Sequence, residues 1–502
     1  MPRPRRHRRH HLGTVGAAKA VPTRAGGRSG TDVAERVRTI IDDVRTRGDA
    51  AVREYSARFD GWEPERFRLS PEQVAELVAS LPAQVVDDIA RPFRHPGAVR
   101  RPSNGHICSV TMTVLMNAGP WLAVPPHGYG GIENVVAALV PELRRRGVRV
   151  VLAGVGSSEL PVDELVSVYP DGQFAQLQRP FNRVMGVAAA HLHRVVCEVR
   201  SRDDITLVHD HQEAFGLTVL AAMGADAPPV LHTLHWDLAK HPELYGNVDG
   251  GGRLFVNGVS FNQLTTAPPA LRALSVGHVH LATPLAVRAD RRPAPPKAGH
   301  LVTLGRITPC KGQHIAARVA HRIGRDLVLA GPVGPHHTPD QLAAVGPDDP
   351  NPDVRYWREH VEPLVDGRRV RWLGTVVAGA RDELVASAAA ALLPIEWEEP
   401  GGTAVVESLA LGTPVVGFRR GCLPELVEHG RTGLLVEPGD EEALAAAVGE
   451  AARHDPDEGR RDAARRFTPA RMAERYLRLY QRVLAAARNG GTHRLSRAGS
   501  TG

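Results

Sequence analysis

The sequence predicts an α/β protein in which two βα domains, each built on a parallel sheet, face one another across a cleft. Three observations carry this. From Thr113 onward, short apolar runs alternate with longer amphipathic segments. The alternation stops at a proline-rich stretch, VRADRRPAPPKAGH at 286–299, and then restarts. In both halves a glycine-containing turn directly follows an apolar run and opens the next helical segment.

Taken in order, residues 1–31 form a basic leader rich in Arg, His and Gly, expected to be disordered. Residues 32–95 read as helical, because Val33, Val37, Ile40, Ile41 and Val44 recur at helical spacing. Residues 96–111 read as a linker. The first α/β domain spans 112–285, with strands expected at Thr113–Met116, Val148–Ala153, Ile205–Val208, Val230–Leu234 and Phe255–Val259. Helices are expected at Ile132–Arg146 and Asn182–Val199, and Pro141 should kink or shorten the first. After the hinge at 286–299, the second domain spans 300–488. Its strands are expected at Leu301–Leu304, Leu327–Ala330, Val370–Leu373, Ala390–Leu393 and Pro414–Phe418, with a last helix at about Pro469–Arg488 and a polar tail at 489–502.

Composition narrows the class. The net charge of +7 belongs to the leader: residues 1–31 carry eight cations and no acid, and subtracting them leaves the other 471 residues near −1. The folded part therefore gives no sign of nucleic-acid binding, while the basic leader admits peripheral contact with an anionic membrane. No apolar run is long enough to cross a bilayer. The N-terminus lacks the apolar stretch of a secretory signal. Four scattered cysteines without a CxxC pair fit a reducing compartment, and a cytoplasmic location is expected.

Three constellations carry chemistry. In PPHGYGGIE, Gly128, Gly130 and Gly131 let backbone approach a ligand, and the helix that follows offers free N–H groups to an anion. The bland alternative is an ordinary glycine-rich turn. After the first strand of the second domain, Arg306 and Lys311 stand five positions apart across a proline turn and can grip a diphosphate. A solvated basic loop is the alternative. In EWEEPGGTAVVE, a strand end leads through Gly401 and Gly402 into a helix beginning near Thr403. Glu399 then sits in the loop at the cleft. Glu407 sits one turn into the helix, where a carboxylate can accept two hydrogen bonds from a vicinal diol or be a plain surface residue. His209 and His211 end a strand, and two such ligands without a nearby third give no metal site.

These motifs resemble the retaining glycosyltransferases of family 4, which have the two-lobed GT-B fold. Arg306 and Lys311 match that family's basic pair, and Glu399 and Glu407 match its two glutamates. The stretch WEEPGGTAVVESLALGTPVVGFRRGCLPELVEHGRTGLLVEPGD, the PPHGYGGIE loop and His209-Asp210-His211 also match, over about 112–485. The resemblance implies a metal-independent hexosyltransferase that takes a nucleoside diphosphate sugar as donor, without a cofactor, and acts on an acceptor the motifs do not specify. It implies that Arg306 and Lys311 hold the diphosphate together with the turn Gly401-Gly402-Thr403. Glu407 would bind the ribose, Glu399 would contact the transferred sugar, and His211, rather than His209, would lie near the reacting face. One departure stands out: Pro400-Gly401-Gly402 replaces the usual Pro-Phe-Gly, which is expected to remove packing and loosen the loop.

The segment DVRTRGDAAVREYSARFDG, Asp43–Gly61, resembles instead the N-terminal helices of histidinol dehydrogenase. That enzyme's zinc ligands, catalytic histidine and cofactor residues lie later and have no counterpart. Two other functional classes stay open: a non-catalytic GT-B protein that binds a nucleotide sugar, and a dehydrogenase-related protein. Met112 stands directly before the first strand, so residues 1–111 are expected to be dispensable.

Overall fold

The computed structural model describes residues 39–60, apart from 41 and 45, and residues 112–497, apart from 129, 225–226 and 292–293. The expected basic leader, most of the helical segment 32–95, the linker 96–111 and residues 498–502 lie outside the described residues. The chain divides into two units, 1–106 and 107–502. In the first, the helix Asp49–Asp60 is described; Arg47 bonds Asp43, and the Tyr55 hydroxyl donates to Asp43 Oδ2 at 2.9 Å.

The second unit holds two parallel sheets. The first contains β1 (Thr113–Asn117), β2 (Arg149–Gly154), β3 (Glu164–Ser167), β4 (Leu207–Asp210), β5 (Val230–Leu234), β6 (Leu254–Gly258) and β7 (Ser275–His278), in the order β3-β2-β1-β4-β5-β6-β7. The second contains β8 (Leu301–Leu304), β9 (Leu327–Ala330), β10 (Val370–Trp372), β11 (Ala390–Leu393), β12 (Val415–Phe418) and β13 (Gly433–Val436), in the order β10-β9-β8-β11-β12-β13. Every residue of β1, β5, β8, β9, β11 and β12 is buried, which is why these strands read as continuous apolar runs rather than alternations.

Strand order reverses between β1 and β4 in the first sheet and between β8 and β11 in the second. Crossovers leave in opposite directions there, and a crevice opens at the carboxyl ends of the two strands. The expected site residues follow β1, β4, β8 and β11.

Pro141 does not shorten its helix, which runs through Gly131–Arg145. Pro141 removes one backbone donor, but Val140 and Leu143 on either side of it are fully buried and hold the last turn in place. The last helix runs Pro469–Arg497, beyond the expected Arg488. Its buried residues Met472, Tyr476, Tyr480 and Val483 pack with Val136, Leu139, Leu143 and Leu207. Sequence order places this helix after the second lobe, but its apolar face completes the core of the first.

Candidate functional site

The floor of the first-lobe crevice is a buried polar network at three strand ends. Asp210, closing β4, is fully buried; its Oδ1 accepts from Asn117 Nδ2 at 2.7 Å and its Oδ2 from His232 Nδ1 at 2.6 Å. Asn117 Oδ1 in turn accepts from His191 Nε2 at 2.7 Å. A buried carboxylate is tolerable only with such partners, and these pin β1, β4 and β5 together.

The two histidines beside Asp210 differ in what they have left to give. His209 bonds Thr233 Oγ1 through Nε2 and the Tyr480 hydroxyl through Nδ1, both at 2.8 Å. Thr233 Oγ1 donates to Asn257 Oδ1 at 2.9 Å, so it accepts from His209 Nε2–H, and Nδ1 accepts from Tyr480. Both nitrogens of His209 are used. His211 is 1 % exposed and meets His235 Nε2 at 2.9 Å through Nδ1, while its Nε2 is buried without a hydrogen-bond partner. Burial holds both imidazoles well below their ordinary pKa, so they are neutral. His235, also pushed down to about 3 by burial and by His232, lines the cleft. The sequence reading missed His235, although it follows β5 at the same place that His211 follows β4.

The glycine loop enters the same cleft. Gly128 has φ +94°, and a Cβ on Gly130 would stand 2.6 Å from the Pro126 ring, so neither position accepts a side chain freely. Gly131 is the first residue of its helix and lines the cleft together with Glu133. Burial raises the Glu133 carboxyl above the ordinary range.

In the second lobe, Arg306 follows β8. Its side chain is 44 % exposed, with only a loose pairing to Asp353 at 3.8 Å. Lys311 ends a single helical turn, Pro309–Lys311. Gly312 after it adopts φ +67°, and a Cβ there would lie 2.0 Å from the Pro394 carbonyl, which explains the Lys-Gly pair. Lys311 Nζ bonds Glu399 Oε2, to which the Trp397 indole N–H also donates at 2.8 Å. The Gly402 N–H donates to Glu399 Oε1 at 3.4 Å. Burial alone would raise the Glu399 pKa, but the Lys311 ammonium and these donors outweigh it, and the carboxyl sits below the ordinary range. Gly421 packs its backbone on this loop: a Cβ there would stand 2.3 Å from Glu399 N.

Gly401 is buried rather than loose. A Cβ on it would meet Leu281 Cδ1 at 2.7 Å and Val259 Cγ2 at 3.4 Å, both from the first lobe. Leu281 and Val259 thus pack directly against Gly401 and leave no room for a Cβ there. The helix Thr403–Ala410 starts directly after, with Gly402 at φ +60° as its N-cap. Glu407 lies on this helix, but its Oε2 faces Arg381 Nη1 at 3.5 Å, and it is not part of the cleft wall. Burial, opposed by Arg381, raises its pKa.

The cleft has a volume of about 840 Å³. Gly131, Arg306, Lys311, Glu399, Gly401, Gly402 and Thr403 line it together with Trp121, Phe215, Trp236 and Trp397. Beside it the lobes are clasped by Glu425, which accepts from Phe261 N at 2.8 Å, Asn262 N at 2.6 Å and His280 Nε2 at 2.8 Å. His278, His280 and Glu425 bring three potential ligand atoms within 4.8 Å of one another. The sequence reading found no third ligand for any histidine pair, because Glu425 comes from a distant part of the chain.

Two parallel-sheet lobes, with Arg306, Lys311 and Glu399 lining the cleft between them, are the arrangement of a GT-B glycosyltransferase. A family model described as Glycosyltransferase Family 4 matches residues 129–256, and one described as Glycosyl transferases group 1 matches residues 298–454. Both lobes thus match glycosyltransferase models, the first that of family 4 and the second that of group 1. The alpha-maltose-1-phosphate synthase of Mycolicibacterium smegmatis is 27% identical over 406 residues, covering 72% of this chain and 97% of that protein. The crystal structure of AviGT4, a glycosyltransferase involved in avilamycin A biosynthesis, superposes with a TM-score of 0.52 at 28% identity, covering 74% of this chain and 98% of that chain. A histidinol dehydrogenase model matches residues 24–100. There a histidinol dehydrogenase homolog from Shouchella clausii is 46% identical over 57 residues, which is 13% of its own length. Among the described residues no helix is long and apolar enough to cross a membrane.

Proposed function

We propose that the protein transfers a glycosyl group from a nucleoside diphosphate sugar to a hydroxyl acceptor, with retention at the anomeric carbon and without a metal ion. The observation that supports this most is the convergence of Arg306, Lys311 and the start of the helix Thr403–Ala410 on the cleft that also holds Glu399. In the transfer, the bond from C1 to the diphosphate oxygen breaks and its electron pair goes to the diphosphate. The acceptor oxygen forms the new bond to C1, and its proton passes to the departing diphosphate. Arg306, Lys311 and the helix N-terminus offset the charge that develops there. His211 lies behind the cleft wall formed by Gln212 and His235, and its unpartnered Nε2 would meet a sugar hydroxyl only after a local shift.

Incubating the enzyme with a panel of nucleoside diphosphate sugars, with NMR of the released nucleotide and of the product anomer, tests this reading. Binding with no release from any donor would favour a non-catalytic nucleotide-sugar binder; an inverted anomer would remove the retaining mechanism. EDTA is expected to leave turnover intact. Complete loss restored by zinc would direct attention to His278, His280 and Glu425.

A further inference from the structure

The wall of the cleft is divided by charge. Its cations, Arg306 and Lys311, both come from the second lobe. The first-lobe wall, among the described residues, carries no Lys or Arg; its charged groups are the carboxyls of Glu133 and Glu213. Glu133 is driven toward its neutral form by burial, and Glu213 is engaged by Lys240 and His241, each at 3.5 Å. Between them the wall is apolar, made of Trp121, Leu122, Phe174, Leu177, Val184 and Met185.

The apolar surface does not stop at the cleft. Phe174 and Leu177 line it and are also 40% and 41% exposed, and Phe181, at the start of the helix Phe181–Arg200, is 76% exposed. The two cations of this segment, Arg179 and Arg183, are exposed and lie outside the cleft wall. The apolar wall of the cleft therefore reaches open surface at Phe174 and Leu177. Exposed apolar area of this kind, leading into a pocket, marks a binding groove.

From this division we infer that the acceptor is a hydroxyl carried on an uncharged apolar body, seated against the first lobe along Trp121, Phe174 and Leu177. The inference rests on the glycosyl-transfer reading. A phosphorylated or otherwise anionic acceptor would find no Lys or Arg among the described residues of that wall, so its phosphate would lose hydration without a direct counter-charge. An apolar body instead removes the strip from water, and its hydroxyl reaches the sugar held by the second lobe.

The test compares three acceptor probes with the donor that the panel identifies: 4-methylumbelliferone as a soluble phenol, n-decanol in neutral detergent micelles, and glucose 1-phosphate. The expected result is a kcat/KM at least tenfold higher for the phenol or the long-chain alcohol than for the sugar phosphate. Whichever of the two is used better tells whether the native acceptor is a soluble aglycone or a lipid. In Leu177→Arg the KM for that acceptor is expected to rise at least tenfold, and in Leu177→Met to return near wild type, with the same melting temperature in all three proteins. Preference for glucose 1-phosphate, or an unchanged KM in Leu177→Arg, would overturn the inference. Failure of the glycosyl-transfer reading looks different: no donor is bound or cleaved, with any acceptor or with none.

Discussion

Lys311 Nζ is hydrogen-bonded to Glu399 Oε2, which joins the cation proposed to seat the donor diphosphate to the carboxylate proposed to meet the transferred sugar. Without a donor bound, the two charges neutralise one another, so a donor phosphate has to compete with Glu399 for the ammonium. This pairing also changes what substitution does. Lys311 is held directly by the buried Glu399, whereas Arg306 meets Asp353 only at 3.8 Å.

Lys311→Ala is therefore expected to destabilise the fold as well as stop transfer. Removing one member of a buried pair costs about 3 kcal/mol. The Glu399 pKa is depressed in the folded state, so its contribution to stability is present above the ordinary carboxyl pKa and is lost as pH falls through the folded value. In Lys311→Ala only burial and two N–H donors remain, the pKa rises, and the deficit shrinks toward acid pH. Melting curves of both proteins between neutral and acid pH check this; a deficit independent of pH would contradict it.

Arg306→Ala should behave differently. Its guanidinium is 44 % exposed with one pairing at 3.8 Å, so the melting temperature should not move. Loss of a group that offsets leaving-group charge should lower kcat by roughly a hundredfold. Normal turnover would place the diphosphate elsewhere.

Glu407→Gln should weaken donor binding by about 1–3 kcal/mol if Glu407 turns from Arg381 to the ribose. Arg381→Ala is the companion measurement. If Glu407 serves the donor, Arg381→Ala leaves donor affinity within a few-fold of wild type. If the two substitutions lower melting temperature equally and neither changes affinity, Glu407 is a structural partner of Arg381.

Gly401→Phe, which restores the usual aromatic, should be harmful here. Its Cβ would stand 2.7 Å from Leu281, and overpacking of this kind costs about 1–3 kcal/mol. Leu281→Ala in the same chain should recover most of the loss. Equal stability of Gly401→Phe and wild type would show that the lobes part easily at this point.

A shortened chain beginning at Met112 is expected to melt and transfer sugar like the full chain. Aggregation, or loss of activity, would make residues 1–111 an integral part of the enzyme.

The strands that the sequence reveals are the ones buried on both faces. Val230–Leu234, Leu301–Leu304, Leu327–Ala330 and Ala390–Leu393 stand where the apolar runs place them. The missed strands β3, β7 and β13 lie at sheet edges. In β3 only Val166 is buried and in β7 no residue is, so neither shows a buried apolar run; β13, with three of its four residues buried, was missed all the same. β4 was placed two residues early because its apolar run ends at Val208, whereas pairing continues through His209 and Asp210, opposite Met116 and Asn117. In the site, glycine spacing and the Arg–Lys pair were legible. The engagement of His209 by Tyr480, the packing of Leu281 against Gly401 and the clasp at Glu425 were not, since each joins residues more than a hundred positions apart.

The return of the Pro469–Arg497 helix to the first lobe has a consequence for biosynthesis. Residues 112–285 leave the ribosome early, but the surface of their sheet that Tyr476, Tyr480 and Val483 cover stays bare until the end of the chain emerges. His209, which bonds Tyr480, waits just as long for its second partner. The second lobe, made later, has the residues of its own sheet before then. The core of the first lobe is thus complete only once the last helix of the chain has been made.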